Sequence, residues 1–340
     1  MTYVYLADLL LTDLSKTHQK MKTLPLKNWI PFRLDFQETE LYCRWLYVAD
    51  KRYTEPFFHE TTGQCKVFAE NRKPFHAVSS LNGIIDFSEN MPSLAPTAFI
   101  FHVSRCGSTL LTQLFSLDEQ NIVLAEPPIF DEVLREINFK NPEISDQKID
   151  ESLQAIVKFL GQKRTGEEQN FFIKLDSWHI FYYEKLRKIY PETPFIFSFR
   201  RPDEVIRSQV KESGMHAVPG VIQPELFGFR LEEILQIERP VYVAKVLEKY
   251  FERYLEIVEK DMNSLFVNYA AGILKSLEKI EQFLDLKIEK SVKEKMVART
   301  QFHSKRPNTV FEEKPLEDEL PEYQKVVFGM YERLIERIQK

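Results

Sequence analysis

Two short segments carry basic and hydroxyl side chains in patterns suited to holding phosphate. The first is Ser104-Arg105-Cys106-Gly107-Ser108-Thr109. It follows the apolar run Ala98–Val103 and leads into Ser108–Phe115, where leucines recur at helical spacing. A loop between a buried strand and a helix N-terminus points several backbone N–H groups at one spot, and the helix dipole adds positive charge there. Gly107 lets the backbone come close to a ligand, the Ser108 and Thr109 hydroxyls can donate to phosphate oxygens, and Arg105 adds a planar charge. The second segment is the apolar strand Phe195–Phe199, which ends in Arg200-Arg201-Pro202 and runs into a helical stretch that carries Ser208. Pro202 suits a helix start, and Arg200 and Ser208 can converge on one phosphate.

A Walker-type ATPase or GTPase would place a lysine where Ser108 stands and a glycine at the head of the loop. Both are missing. The loop instead resembles the 5′-phosphosulfate loop of sulfotransferases that use 3′-phosphoadenosine-5′-phosphosulfate (PAPS). Cytosolic members carry P-K-S-G-T-T-W there and the tyrosylprotein branch P-R-S-G-T-T-L. The present chain has arginine at the basic position, closest to the tyrosylprotein branch, and Cys106 in place of serine. The Arg200 segment is similar to the family's 3′-phosphate motif, in which an arginine precedes Asn-Pro or Asp-Pro and a serine follows eight residues after the arginine. Arg201 stands at the position of the Asn or Asp. Leu265–Tyr269 and the amphipathic stretch ending Phe283-Leu284-Asp285-Leu286 resemble the family's late strand and helix. The likeness covers about residues 96 to 310 and leaves residues 1–92 without a counterpart.

The resemblance implies transfer of a sulfonate group from PAPS to a hydroxyl or amine, with adenosine 3′,5′-bisphosphate as the product and no metal. Arg105, Cys106, Gly107, Ser108 and Thr109 would hold the 5′ end of the donor, and Arg200 and Ser208 its 3′-phosphate. Arg105 and Lys174, the latter at the end of the run Phe171–Leu175, would face the charge that grows on the leaving group. Two residues are candidate bases. Glu126 follows the strand Ile122–Leu124, as a catalytic glutamate does in the tyrosylprotein branch. His179 follows Lys174 at a longer spacing than the Lys-Thr-His of cytosolic members. His102, just before the loop, reads as a packed strand residue. Lys305 and Arg306 lie in a late basic loop, where family members close over the donor, although the usual R-K-G form is absent.

Positioning these residues calls for a layered scaffold. Strands at 98–103, 122–124, 171–175, 195–199 and 264–269 alternate with helical patterns at 151–162, 182–189 and 241–260. Such alternation predicts an α/β fold with a parallel sheet flanked by helices, and strands that are continuous apolar runs fit a sheet covered on both faces. With the resemblance this is the P-loop-type sulfotransferase fold, over residues 93–340, preceded by a small α+β region at 1–92. The proline-bearing stretch 89–97 reads as the linker. The aromatics Trp29, Trp45, Tyr53, Phe57 and Phe58 read as a small core rather than as an acceptor pocket.

Composition narrows the alternatives. The 340 residues are 44% hydrophobic and 29% charged, which fits a globular chain able to bury a large core. A net charge of −5 disfavours nucleic acid as a partner. Three cysteines without a paired spacing fit a reducing compartment, and no signal peptide or membrane-length apolar run is evident, so a cytoplasmic location is expected. A phosphate loop is also compatible with a kinase-like phosphotransferase using ATP, or with a non-catalytic nucleotide-binding module. The acceptor and the oligomeric state have no signature in the sequence.

Overall fold

The computed structural model describes residues 3–5, 26–36, 41–74, 76–302 and 320–339. In chain order the first elements are β1 (Tyr3–Tyr5), β2 (Trp29–Phe36), β3 (Leu41–Tyr47), α1 (Phe58–Cys65), β4 (His76–Ser80) and α2 (Leu81–Ser88). They are followed by β5 (Ala98–His102), α3 (Ser108–Ser116), β6 (Asn121–Ala125), α4 (Asp146–Leu160), β7 (Asn170–Lys174) and α5 (Tyr183–Ile189). The remainder is β8 (Phe195–Phe199), α6 (Pro202–Lys211), α7 (Arg239–Val258), β9 (Ser264–Asn268), α8 (Ile273–Phe283), α9 (Lys290–Arg299) and α10 (Lys325–Ile338), with short helical turns between. One sheet has the order β1-β4-β3-β2, with β1 parallel to β4 and the rest antiparallel. The other is the expected five-stranded parallel sheet, β6-β7-β5-β8-β9. Among the described residues no helix is long and apolar enough to cross a membrane.

By internal contacts the chain forms two compact units, residues 1–97 with 115–173, and residues 98–114 with 174–340. In the first, Trp29, Trp45, Tyr53 and Phe58 are all buried. The Trp45 ring meets Phe159 edge-on at 4.6 Å, and its indole N–H donates to Ser79 Oγ at 2.8 Å, so the polar edge is satisfied inside the core. The helix α4 starts at the cap Ser145, which accepts from Lys148 N, and buries Ile149, Leu153, Ile156 and Leu160, a three-to-four residue spacing. Segment 89–97 is stitched down by backbone hydrogen bonds from Leu94 N to Gly161 O (2.9 Å) and Thr97 N to Phe171 O (2.7 Å).

The same unit holds an acid that sequence reasoning passed over. Glu132 opens a π-helical turn, Glu132–Glu136, and its Oε2 accepts from Leu34 N at 2.6 Å. Burial pushes its carboxyl up to about 8, and the Leu34 N–H and Arg33 guanidinium pull it back only in part. Arg33 is largely exposed, which weakens its pull. The folded chain therefore holds this proton more tightly than the unfolded one, so its contribution to stability is full below about pH 4.5 and is lost as pH rises through about 8. Glu132→Gln keeps the acceptor for Leu34 N and removes the buried charge. It is expected to raise unfolding stability by about 1–3 kcal/mol at alkaline pH and hardly at all near pH 5, read from denaturant titrations at both. An equal gain at the two pH values would rule out the carboxylate as the cause.

In the second unit β5, β8 and β9 run parallel in the register Phe99↔Phe195 and Phe195↔Ser264. Every residue of β5 and β8 is buried, so both strands read as largely apolar runs, broken only by Ser198 and the terminal His102. One face carries a stack of rings across the three strands, Phe101 on Phe197 (5.0 Å) and Phe197 on Phe266 (4.6 Å), with Tyr254 of α7 edge-on to the latter two. This stack sets β5 and β8 side by side, with C-terminal ends at His102 and Phe199. In open parallel sheets ligands gather beyond such ends.

Candidate functional site

The loop after β5 is held in a conformation its residues do not prefer. Ser104 (φ 68°) and Arg105 (φ 51°) are both left-handed, as is Gly107 (φ 80°). Each non-glycine residue in this region costs about 1–3 kcal/mol, so its surroundings must over-determine it. They do so with side chains. The N–H of Ser104 donates to His102 Nδ1 (3.0 Å), and His102 Nε2 donates to Leu175 O (2.9 Å), which fixes the tautomer. Ser198 Oγ donates to Cys106 O (3.3 Å), and Cys106 Sγ donates to Ser198 O (3.4 Å). His102 is thus the packed strand residue expected, with a structural task. Burial alone would push the buried Cys106 thiol up; hydrogen bonds involving His102, Ser198 and the Ser108 N–H outweigh it and hold the thiol below its ordinary value. Past the loop, Leu111 N donates to Gly107 O and α3 begins, its first N–H groups turned to the loop mouth.

Lys174, at the end of β7, is fully buried, with Nζ donating to Thr109 Oγ1 at 3.2 Å. Its ammonium is therefore aimed at the start of α3. Arg200, one residue past β8, is 9% exposed. Its Nε donates to Glu204 Oε2 (2.6 Å), one helical turn on, and Nη1 donates to Arg105 O (3.4 Å). The guanidinium lies over the Tyr269 ring, 4.7 Å from its centroid. Tyr269 follows β9 directly, in a turn capped by Asn268, and its ring packs so closely on Gly107 that a Cβ there would fall 2.4 Å from Cδ2. Burial pushes the Tyr269 hydroxyl up, against the pull of Arg200. The glycine turn, the aromatic ring and the second arginine are consequently one packed group.

The other expected residues fall as follows. Arg105 sends Nη2 to the backbone oxygen of Glu212, just past the C-terminus of α6, and lies 3.7 Å from that residue's carboxylate. A cation there suits the helix dipole. Ser208 is half-buried on α6. Glu126 directly follows β6, half-buried and left-handed at φ 55°. His179 is fully buried, and its Nδ1 accepts from Asp176 N while the Asp176 side chain accepts from the His179 backbone N, a reciprocal cap. Lys305 and Arg306 lie outside the described residues. Arg299 of α9 donates to Gln113 Oε1 at 2.6 Å.

Sequence reasoning assigned no role to Gln209, Ser177, His216 or Tyr269. The spacing of Tyr269 after β9 was a visible signal. The bond from Gln209 to Ser104 had none, since the two come from distant parts of the chain.

No protein-family model matches the sequence, and no curated protein does. Among solved structures, a sulfotransferase from Mycobacterium avium overlays on 74% of this chain and 80% of its own, at 13% identity and a TM-score of 0.47. The sulfotransferase domain from the curacin biosynthetic pathway overlays on 71% and 99%, at 14% identity and a TM-score of 0.41. A mouse sulfotransferase complexed with PAP overlays on 76% and 90%, at 14% identity and a TM-score of 0.37.

Proposed function

We propose that this chain is a PAPS-dependent sulfotransferase. The observation that carries the reading is the packing of Arg200 onto the anion loop, through the Arg105 carbonyl and the Tyr269 ring that covers Gly107. A nucleotide with phosphate at only one end needs no second guanidinium fixed beside its phosphate loop, whereas a donor with both 5′- and 3′-phosphates does.

In this reading the loop N–H groups and the Ser108 and Thr109 hydroxyls hold the 5′-phosphosulfate, and Arg200 with Ser208 holds the 3′-phosphate. The acceptor oxygen or nitrogen attacks sulfur in line. The new bond to sulfur forms as the bond from sulfur to the bridging oxygen breaks, and the electron pair leaves on the 5′-phosphate. Lys174, already directed at Thr109, neutralises that charge, with Arg105 as the second cation once it swings from Glu212. Charge supplied by Lys and Arg makes a metal unnecessary. The acceptor proton passes to one of the two candidate bases: Glu126, a half-buried carboxylate in a left-handed conformation just past β6, or His179, which is enclosed and has its Nδ1 engaged in a cap. Use of PAPS fits a cytoplasmic location.

Calorimetry distinguishes the donor classes. Adenosine 3′,5′-bisphosphate is expected to bind without metal and at least about tenfold more tightly than Mg·ADP, a difference of about 1.4 kcal/mol. Equal or better binding of Mg·ADP would replace the sulfotransferase reading with an ATP-dependent phosphotransferase, and binding of neither would leave no nucleotide function.

A further inference from the structure

Gln209 lies on α6, fully buried, and both its amide protons and its carbonyl oxygen are engaged. Nε2 donates one proton to Ser104 Oγ (2.9 Å) and the other to His216 Nε2 (3.2 Å), while Oε1 accepts from Gly214 N (2.7 Å). Because His216 Nε2 accepts, its proton sits on Nδ1, which donates to Ser177 Oγ at 3.3 Å. Ser177 in turn meets the Tyr250 hydroxyl of α7 at 3.2 Å. One buried side chain thus ties the left-handed Ser104 of the anion loop to the turn Met215–Ala217, which is itself closed by Ala217 N on Gly214 O. Leu in place of Gln would leave three partners without their bonds, His216 buried and Ser104 and Gly214 half-buried, so the two segments share one hydrogen-bonded arrangement.

We propose that Gln209 is a positioning residue that couples occupancy of the anion loop to the conformation of residues 213–217. The inference rests on the donor reading above. Ser104 Oγ accepts from Gln209, so its own hydroxyl proton points elsewhere and can turn to an anion in the loop. An anion that draws on this hydroxyl strengthens the Gln209 bond and with it the hold on Gly214 and His216. Donor binding therefore sets the shape of residues 213–217.

The test is hydrogen exchange of the 213–217 amides, read by mass spectrometry on the full chain with and without saturating adenosine 3′,5′-bisphosphate. In the wild type the bisphosphate is expected to slow this exchange about fivefold or more. Gln209→Glu keeps the acceptor oxygen for Gly214 N but has no N–H for Ser104. It is expected to bind the bisphosphate within about tenfold of wild type while its 213–217 amides no longer respond. Ser104→Ala cuts the same link from the loop side and gives the same loss, so the test survives if the Gln209 variant does not fold. A glutamine with a merely structural role would leave the ligand response intact in both variants, and that result overturns the proposal. So does a wild type that binds the bisphosphate with no change at 213–217. Failure of the wild type to bind the bisphosphate at all, seen by calorimetry, overturns the donor reading and the coupling together.

Discussion

Arg200→Ala is expected to weaken adenosine 3′,5′-bisphosphate by at least about 30-fold, equivalent to about 2 kcal/mol, while adenosine 5′-phosphosulfate, which lacks the 3′-phosphate, changes by less than about threefold. The asymmetry follows from what the guanidinium touches. Its bond to the loop, Nη1 to Arg105 O at 3.4 Å, is long, so losing it costs the loop little. Its bond to Glu204 at 2.6 Å and its seat on Tyr269 serve to hold the plane of the group. Arg200→Lys keeps a charge but loses that plane, and is expected to fall between wild type and alanine. Calorimetry with the two nucleotides decides it; equal weakening of both would show that Arg200 supports the loop rather than a second phosphate.

Gly107→Ala is the second large effect. The added Cβ would stand 2.4 and 2.5 Å from two carbons of the Tyr269 ring, on a backbone at φ 80°. The left-handed conformation costs alanine about 1–2 kcal/mol and the overlap about 1–3 kcal/mol more. We expect a stability loss of about 2–5 kcal/mol, which is the sum of these two terms, and a bisphosphate affinity too weak to measure by calorimetry. The double variant Gly107→Ala with Tyr269→Ala removes the overlap and leaves the backbone cost, so the two changes are less than additive. Denaturant unfolding of the four proteins of the cycle reads this directly. Full additivity would mean that the ring at 269 does not press on the glycine turn in solution.

Much of the scaffold was legible along the chain because the signals are local. The apolar runs that became β5 and β8, the helical spacing of α4 and α7, and the proline that opens α6 each depend on near neighbours. The Arg200–Glu204 pair is of the same kind, one helical turn apart, and so is the Asp176–His179 cap. Signals of this range also led to a linker at 89–97, where two prolines suggest loose chain. Its backbone hydrogen bonds to Gly161 and Phe171 belong to partners more than sixty residues away, which composition does not report.

The sequence by itself determined which residue types stand at the ends of which strands: a glycine turn with hydroxyls after β5, a lysine at the end of β7, an arginine after β8. It could do so because strand and helix periodicity are properties of consecutive residues. Only the tertiary structure decided what those groups meet. Ser104 and Arg105 favour ordinary backbone, and their left-handed turns exist because His102, Ser198 and Gln209 converge on the loop from separate elements. The seat of Arg200 on Tyr269 likewise requires β9 to pair with β8. Such meetings are set by chain crossing and side-chain packing, which bring together residues whose spacing along the chain carries no trace of it.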